Sequence, residues 1–350
     1  MVLEARSLRS IGIGLNALRR LPVLYLLGLL MISGFAADSV VASDATKTVG
    51  PNACSECHKE EAAAWQESHH FKTFRDMPRN PKGKEIAEKM GVKRPNSQGL
   101  CLTCHYTVDN KEKPVAGISC ESCHGAGQDF IKVHSGFSGK TEKTETKAEA
   151  DARWKLAISK GMIKTSDVYE LAKNCYSCHV VPQEELVNKG GHKAGSDFEL
   201  VSWSQGEVRH TTWYTKGKDN TPANAGRRRM LYVIGLGVEL ETGIRSVAKA
   251  TAKQPYAFDM AKRVDRARKL LAGAAKALPG VPEIGKLVEY AYSAGLKLNN
   301  ETYLTAAAEG VSKTLIAMTA KYDGSTMAAL DSLIPAPDKY KGTARKPGGS

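Results

Sequence analysis

All eight cysteines and four of the nine histidines of this 350-residue chain fall into four copies of one pentapeptide, Cys-x-x-Cys-His. The copies are Cys54-Ser-Glu-Cys57-His58, Cys101-Leu-Thr-Cys104-His105, Cys120-Glu-Ser-Cys123-His124 and Cys175-Tyr-Ser-Cys178-His179. Two thiols two residues apart, followed at once by an imidazole, form the attachment pattern of a c-type haem. The sulfurs make thioethers to the porphyrin edge, and the adjacent His becomes the proximal ligand of the iron. Two other chemistries use an even number of cysteines. One is a disulfide framework. The other is a four-cysteine zinc ribbon, which the fifteen residues between Cys104 and Cys120 would fit. Neither requires a His after every second Cys. The reading is therefore four covalently bound haem c groups, with His58, His105, His124 and His179 as proximal ligands.

The sixth position on each iron decides between electron transfer and ligand chemistry. Five histidines remain: His69, His70, His134, His192 and His210. Neighbours on a helix point about 100° apart, so at most one of His69 and His70 is a ligand. His70, His134 and His210 are the distal candidates, with His192 a further one. Met77 and Met90 are the alternative, and would raise the potential.

The elements that must place these groups are helical. Residues 1–42 carry Arg6, Arg9, Arg19 and Arg20, then an uncharged apolar run, then a small-residue site at Val40-Val41-Ala42. This is a secretory signal peptide, with an uncleaved membrane anchor as the alternative. Haem attachment outside the cytoplasm fits export to a periplasm. The formal charge is +13 and the pI about 9.3. Removing residues 1–42 lowers the charge to about +11, and eight haem propionates would offset much of the remainder. The rest of the excess suits acidic redox partners, and an exported haem protein has little use for nucleic acid. Residues 43–215 form the expected haem domain, with helices near 60–77, 82–90, 148–160 and 166–175. A polar linker follows at 216–226. Residues 226–335 show amphipathic stripes, such as Val233, Leu236, Leu240 and Ile244, or Leu304, Ala308, Val311 and Leu315. They predict a helical bundle, with Asn300 as an N-cap. Residues 336–350, rich in Pro, Lys and Gly, read as a disordered tail. The fold class is mainly α: a multihaem cytochrome c domain with little regular secondary structure, plus the bundle. Arg227-Arg228-Arg229 reads as a solvated helix start or a docking patch. Trp203 and Trp213 flank His210, and Tyr176 sits inside the fourth motif.

The haem segment resembles the cytochrome c-554 family of tetrahaem cytochromes. The resemblance rests on Trp65-x-x-Ser68-x-His70 after the first motif and on Cys120-Glu-Ser-Cys123-His124-Gly125-Ala-Gly127, followed by His134. It implies that His70, His134 and a late histidine, His210, are distal ligands. It also implies an empty sixth position on the haem carried by His105. The extra histidine in the 190–198 segment, His192, has no counterpart in that pattern. The implied activity is electron transfer between redox proteins. The alternatives are an enzyme acting on a small nitrogen or sulfur species at the open haem, and a redox subunit or sensor that docks through the helical domain.

Overall fold

Each Cys-x-x-Cys-His needs about one helical turn to bring both sulfurs and the ring to one side, and all four motifs lie on or beside short helices. The computed structural model describes residues 44–97 and 99–348. The first motif runs from α1 (Pro51–Ser55) into α2 (Lys59–Glu67). α3 (His69–Asp76) and α4 (Pro81–Lys89) follow, and the second motif ends α5 (Gly99–His105). A two-stranded antiparallel ribbon, β1 (Thr107–Val108) with β2 (Pro114–Ala116), leads to the third motif on α6 (Cys120–His124). After α7 (Ile131–Ser135) and α8 (Lys147–Ser159), the fourth motif ends α9 (Val168–His179). α10 (Glu184–Asn188) and α11 (Leu200–Ser204) lead to four long helices. These are α12 (Ala225–Lys249), α13 (Pro255–Ala277), α14 (Pro282–Ser293) and α15 (Glu301–Lys321). The fold is mainly α, and the ribbon is the only sheet among the described residues.

The helix expected over residues 60–77 is two helices. Ser68 takes an extended conformation, ends α2, and accepts the Phe71 N–H as N-cap of α3. That break re-aims His69 and His70. Thr146 and Glu149 form a reciprocal capping box at the start of α8. Asn300 precedes α15 but does not cap it, because its amide donates to the Ala294 and Gly295 carbonyls that end the preceding turn.

The stripes of the last four helices face inward: Val233, Ile244, Val264, Leu271, Ile284, Leu287, Leu304 and Leu315 are all fully buried. α12 is buried along most of its length and is the central element. At Gly237 a side chain would run into Leu315, so this glycine lets α15 approach. The same buried cluster takes Tyr169, Ala172 and Tyr176 from α9, Leu186 from α10 and Leu200 from α11. The described residues all fall in one compact unit. The change at 216–226 is thus one of sequence character, and a single core runs across it.

The tail expected to be disordered is tied down as far as Arg345. Glu207 N–H donates to Lys341 O (2.9 Å), Lys341 N–H donates to Ser202 O (3.0 Å), and Arg345 pairs with Glu60 (3.2 Å) and Glu67 (2.9 Å). Its composition records none of these partners, which lie well over a hundred residues away. No helix among the described residues is long and apolar enough to cross a membrane. The segment read as a signal peptide lies outside them.

Candidate haem-attachment sites

Each motif histidine faces one histidine from elsewhere in the chain. Ring centroids are 6.0 Å apart for His58 and His134, 6.3 Å for His105 and His192, 6.2 Å for His124 and His210, and 6.3 Å for His179 and His70. Two imidazoles bound trans to one metal, each nitrogen about 2 Å from it and each ring centre about 1.1 Å further back, lie about 6.2 Å apart. The four pairs share that spacing, and among the described residues no hydrogen bond joins the rings of any pair.

The remaining ring nitrogens are mostly engaged. Nδ1 of His124 lies 3.2 Å from Ile163 O, and that of His134 3.2 Å from Ile131 O. Nδ1 of His179 reaches Ser196 Oγ at 2.7 Å, that of His192 Lys193 O at 2.7 Å, and that of His210 Val208 O at 2.6 Å. A proton held at Nδ1 leaves Nε2 as the free donor for iron, which is how metal-bound imidazoles are usually oriented. Burial, then the facing imidazole, lowers His105 and His124 to about 4. Burial likewise lowers His179 to about 4, with His70 and Arg263 adding to it. These rings are neutral at ordinary pH, the form that binds metal.

The ninth histidine stands apart. His69 is exposed, and its Nδ1 lies 2.7 Å from Glu207 Oε2. Neither methionine sits at a motif: Met77 packs along Gly83 and Met90 against Gly190.

The cysteines meet between motifs. Cys54 and Cys120 interact closely enough to raise the first thiol and lower the second. Cys104 and Cys178 do the same, with Cys178 lowered to about 7 by the Cys104 hydrogen bond. Burial, then Cys178, pushes Cys123 up to about 11. Asn174 donates to the Ser122 and Cys123 carbonyls (2.9 and 3.3 Å) and locks the third motif to α9. In space the motifs therefore run first, third, fourth, second. Among the described residues no group of three or more His, Cys, Asp or Glu side chains is set to hold a single metal ion, and no cysteine is in a disulfide.

Several positioning residues escape a motif search. Glu121, 1% exposed, accepts N–H bonds from Val49, Gly50 and Gly127. Gly125 ends the third motif at φ +87°, where any side chain would strike the Gly161 carbonyl. Arg153 is buried with Glu145 and donates to the His134 carbonyl. Phe198 stacks on the His179 ring at 4.2 Å, and Tyr176 meets Phe198 edge-on at 5.0 Å. Tyr176 therefore belongs to the core. Trp213 lies 4.6 Å from the His58 ring. Arg229 forms a bidentate pair with Asp331 (2.7 Å twice) and Arg227 donates to the Thr165 carbonyl, so this basic run braces the fold rather than forming a free patch.

The residues fit a haem at each motif. Each motif brings a thiol pair and a ring that faces a second histidine, and the buried Tyr106 Oη and Arg209 Nε, of residues next in sequence to His105 and His210, have no protein partner.

Comparison with known proteins agrees with this chemistry. The family model described as cytochrome c554 and c-prime matches residues 53–125. Cytochrome c-554 of Nitrosomonas europaea is 27% identical over 142 residues, 37% of this chain and 57% of that protein. The alignment thus spans a little over half the length of that relative. No solved structure matches the chain. Residues 53–125, which hold the first three motifs, are thus similar to cytochrome c554 and c-prime.

Proposed function

We propose that this chain is an exported cytochrome c with four haems that passes electrons between redox partner proteins. The observation that carries the reading is that each motif histidine lies 6.0–6.3 Å, centroid to centroid, from one histidine elsewhere in the chain, a separation that would suit two ligands of one haem iron. Each haem, when bound, supplies an iron that cycles between the ferric and ferrous states. The eight cysteines hold the four groups, and His58, His105, His124 and His179 supply the proximal nitrogens. His134 faces His58, His210 faces His124 and His70 faces His179 as distal ligands. A pair of imidazoles, unlike an imidazole and a thioether, favours low potentials. Supports such as buried Arg153 and the Ser196 hydroxyl keep the rings fixed, so a change of iron charge needs little movement of the protein. The contacts between neighbouring motifs support this reading, because a carrier needs its haems close together. The basic excess favours acidic partners. The N-terminal residues fit export to the periplasm.

The test is haem content and its redox behaviour in native protein. A pyridine haemochrome assay and intact mass should both give four haems per chain. Redox titration should show four one-electron steps with no change of spin state. Fewer than four haems, or a chain that neither accepts nor returns electrons, refutes the reading.

A further inference from the structure

We infer that His192 ligates the iron of the haem attached at Cys101 and Cys104, opposite His105, and that the α12–α13 hairpin exists in part to hold that ligand in place. This rests on the four-haem reading and goes beyond it, because the resemblance to the c-554 family implies an open position at this haem.

The histidines pair without remainder. Four are in motifs, four face them, and the ninth, His69, is exposed and held by Glu207. The His105–His192 separation of 6.3 Å equals that of His179 and His70. His192 is also fixed at the backbone. Its N–H donates to Leu186 O (3.2 Å), and its Nδ1–H to Lys193 O (2.7 Å). A proton held at Nδ1 leaves Nε2 as the free nitrogen of a ring that lies 6.3 Å from His105.

The loop bearing His192 is pinned on both sides by the C-terminal helices. Upstream, Glu184 Oε2 accepts the Thr251 N–H (2.8 Å) and hydroxyl (2.9 Å). Asn188 Oδ1 accepts the Tyr256 N–H (3.0 Å), and Tyr256 Oη–H donates to Pro182 O (3.1 Å). Downstream, Val180 bridges Gly195, and Arg263, itself paired with buried Glu239 (2.9 Å), donates to Ser196 O (3.0 Å). A loop left to itself would not spend ordering entropy on a half-buried imidazole. Here residues from α13 and from the turn before it order the loop.

With His192 in place no iron offers a vacant position, and the second haem serves electron transfer rather than binding a small molecule.

The experiment uses the full-length holoprotein. Oxidised wild type with four haems should show only low-spin iron by electron paramagnetic resonance, and after reduction should bind no carbon monoxide. His192→Ala should keep four haems, show one high-spin haem, and bind one carbon monoxide per chain, with added imidazole restoring the low-spin spectrum. One carbon monoxide bound, or one high-spin haem, in the wild type overturns the inference. A low-spin, unreactive His192→Ala with four haems overturns it as well. A wild type with fewer than four haems overturns the underlying four-haem reading instead.

Discussion

Replacing Glu121 with Gln should destabilise the region joining the first and third motifs by about 3 kcal/mol without touching a ligand. Glu121 lies between the two cysteines of the third motif and is 1% exposed. Its Oε1 accepts N–H bonds from Val49 (2.9 Å) and Gly127 (2.7 Å), and its Oε2 one from Gly50 (2.8 Å). Gly50 is the N-cap of α1, which carries Cys54. One carboxylate thus ties the approach to the first motif to the loop after the third. Hydrogen bonds to a charged group contribute about 1.5–3 kcal/mol and neutral ones about 0.5–1.5, so the two retained bonds each lose about 1 kcal/mol. The third becomes an amide donor facing the Gly50 donor, and an unsatisfied buried donor costs about 1–3 kcal/mol. Relaxation of exposed Val49 and half-buried Gly50 toward water returns part of this. Native-state hydrogen exchange at Val49, Gly50 and Gly127 should quicken roughly 100-fold, since each 1.4 kcal/mol is tenfold. The haem count and visible spectrum should stay as in the wild type. A change of less than about 1 kcal/mol at those amides would falsify the clamp, because it falls within the range of a neutral surface substitution.

Other perturbations separate ligands from their supports. His70→Ala should produce one high-spin haem that binds carbon monoxide, whereas His69→Ala should leave the spectrum alone because His69 is held by Glu207. Equal effects from the two variants would contradict the His70–His179 pairing. Ser196→Ala removes the acceptor for His179 Nδ1–H. The imidazole becomes a weaker donor to ferric iron, and the potential of that haem should rise by roughly 20–40 mV, the equivalent of about 0.5–1 kcal/mol for one electron. A spectroelectrochemical titration with all four potentials unmoved argues against the role. Glu241 is raised above the usual carboxylate value of 4.5, burial outweighing Arg245 and the Tyr169 hydroxyl. Its proton therefore adds stability below pH 4.5, and that stability is lost as pH rises through the folded value. Thermal melts of Glu241→Gln should show a shallower fall over that interval than the wild type; parallel curves would exclude this carboxyl as the source. Ending the chain after Gly226 should destroy the low-spin signature of the haem on His179, because α9 loses α12 as its packing partner. Full retention of haem content and potentials would instead mark the helices as a separable module.

The parts of this molecule legible in its sequence are those written at short range. Cys-x-x-Cys-His is a local chemical unit, and Val233, Leu240 and Ile244 announce a buried helix face by spacing alone. Ser68 was legible only in part: its type suits an N-cap, yet the helical pattern on either side hid the break it makes between α2 and α3. The pairing of histidines was not legible, because it depends on how the chain returns on itself. The His134 ring does not lie opposite the histidine of the motif immediately before it; it lies opposite His58, while the His70 ring lies opposite His179. These crossings follow from the spatial order of the motifs, which is set by contacts such as Asn174 with the Ser122 and Cys123 carbonyls. The same holds for residues 336–348, whose partners Ser202, Glu207 and Glu60 no composition could name. His192 shows the consequence most plainly. Read along the chain it is a surplus histidine in a glycine-rich loop. Its position opposite His105 depends on Glu184, Asn188 and Ser196 meeting Thr251, Tyr256 and Arg263. The long helices that carry no cofactor motif thereby hold the loop that sets His192 opposite His105.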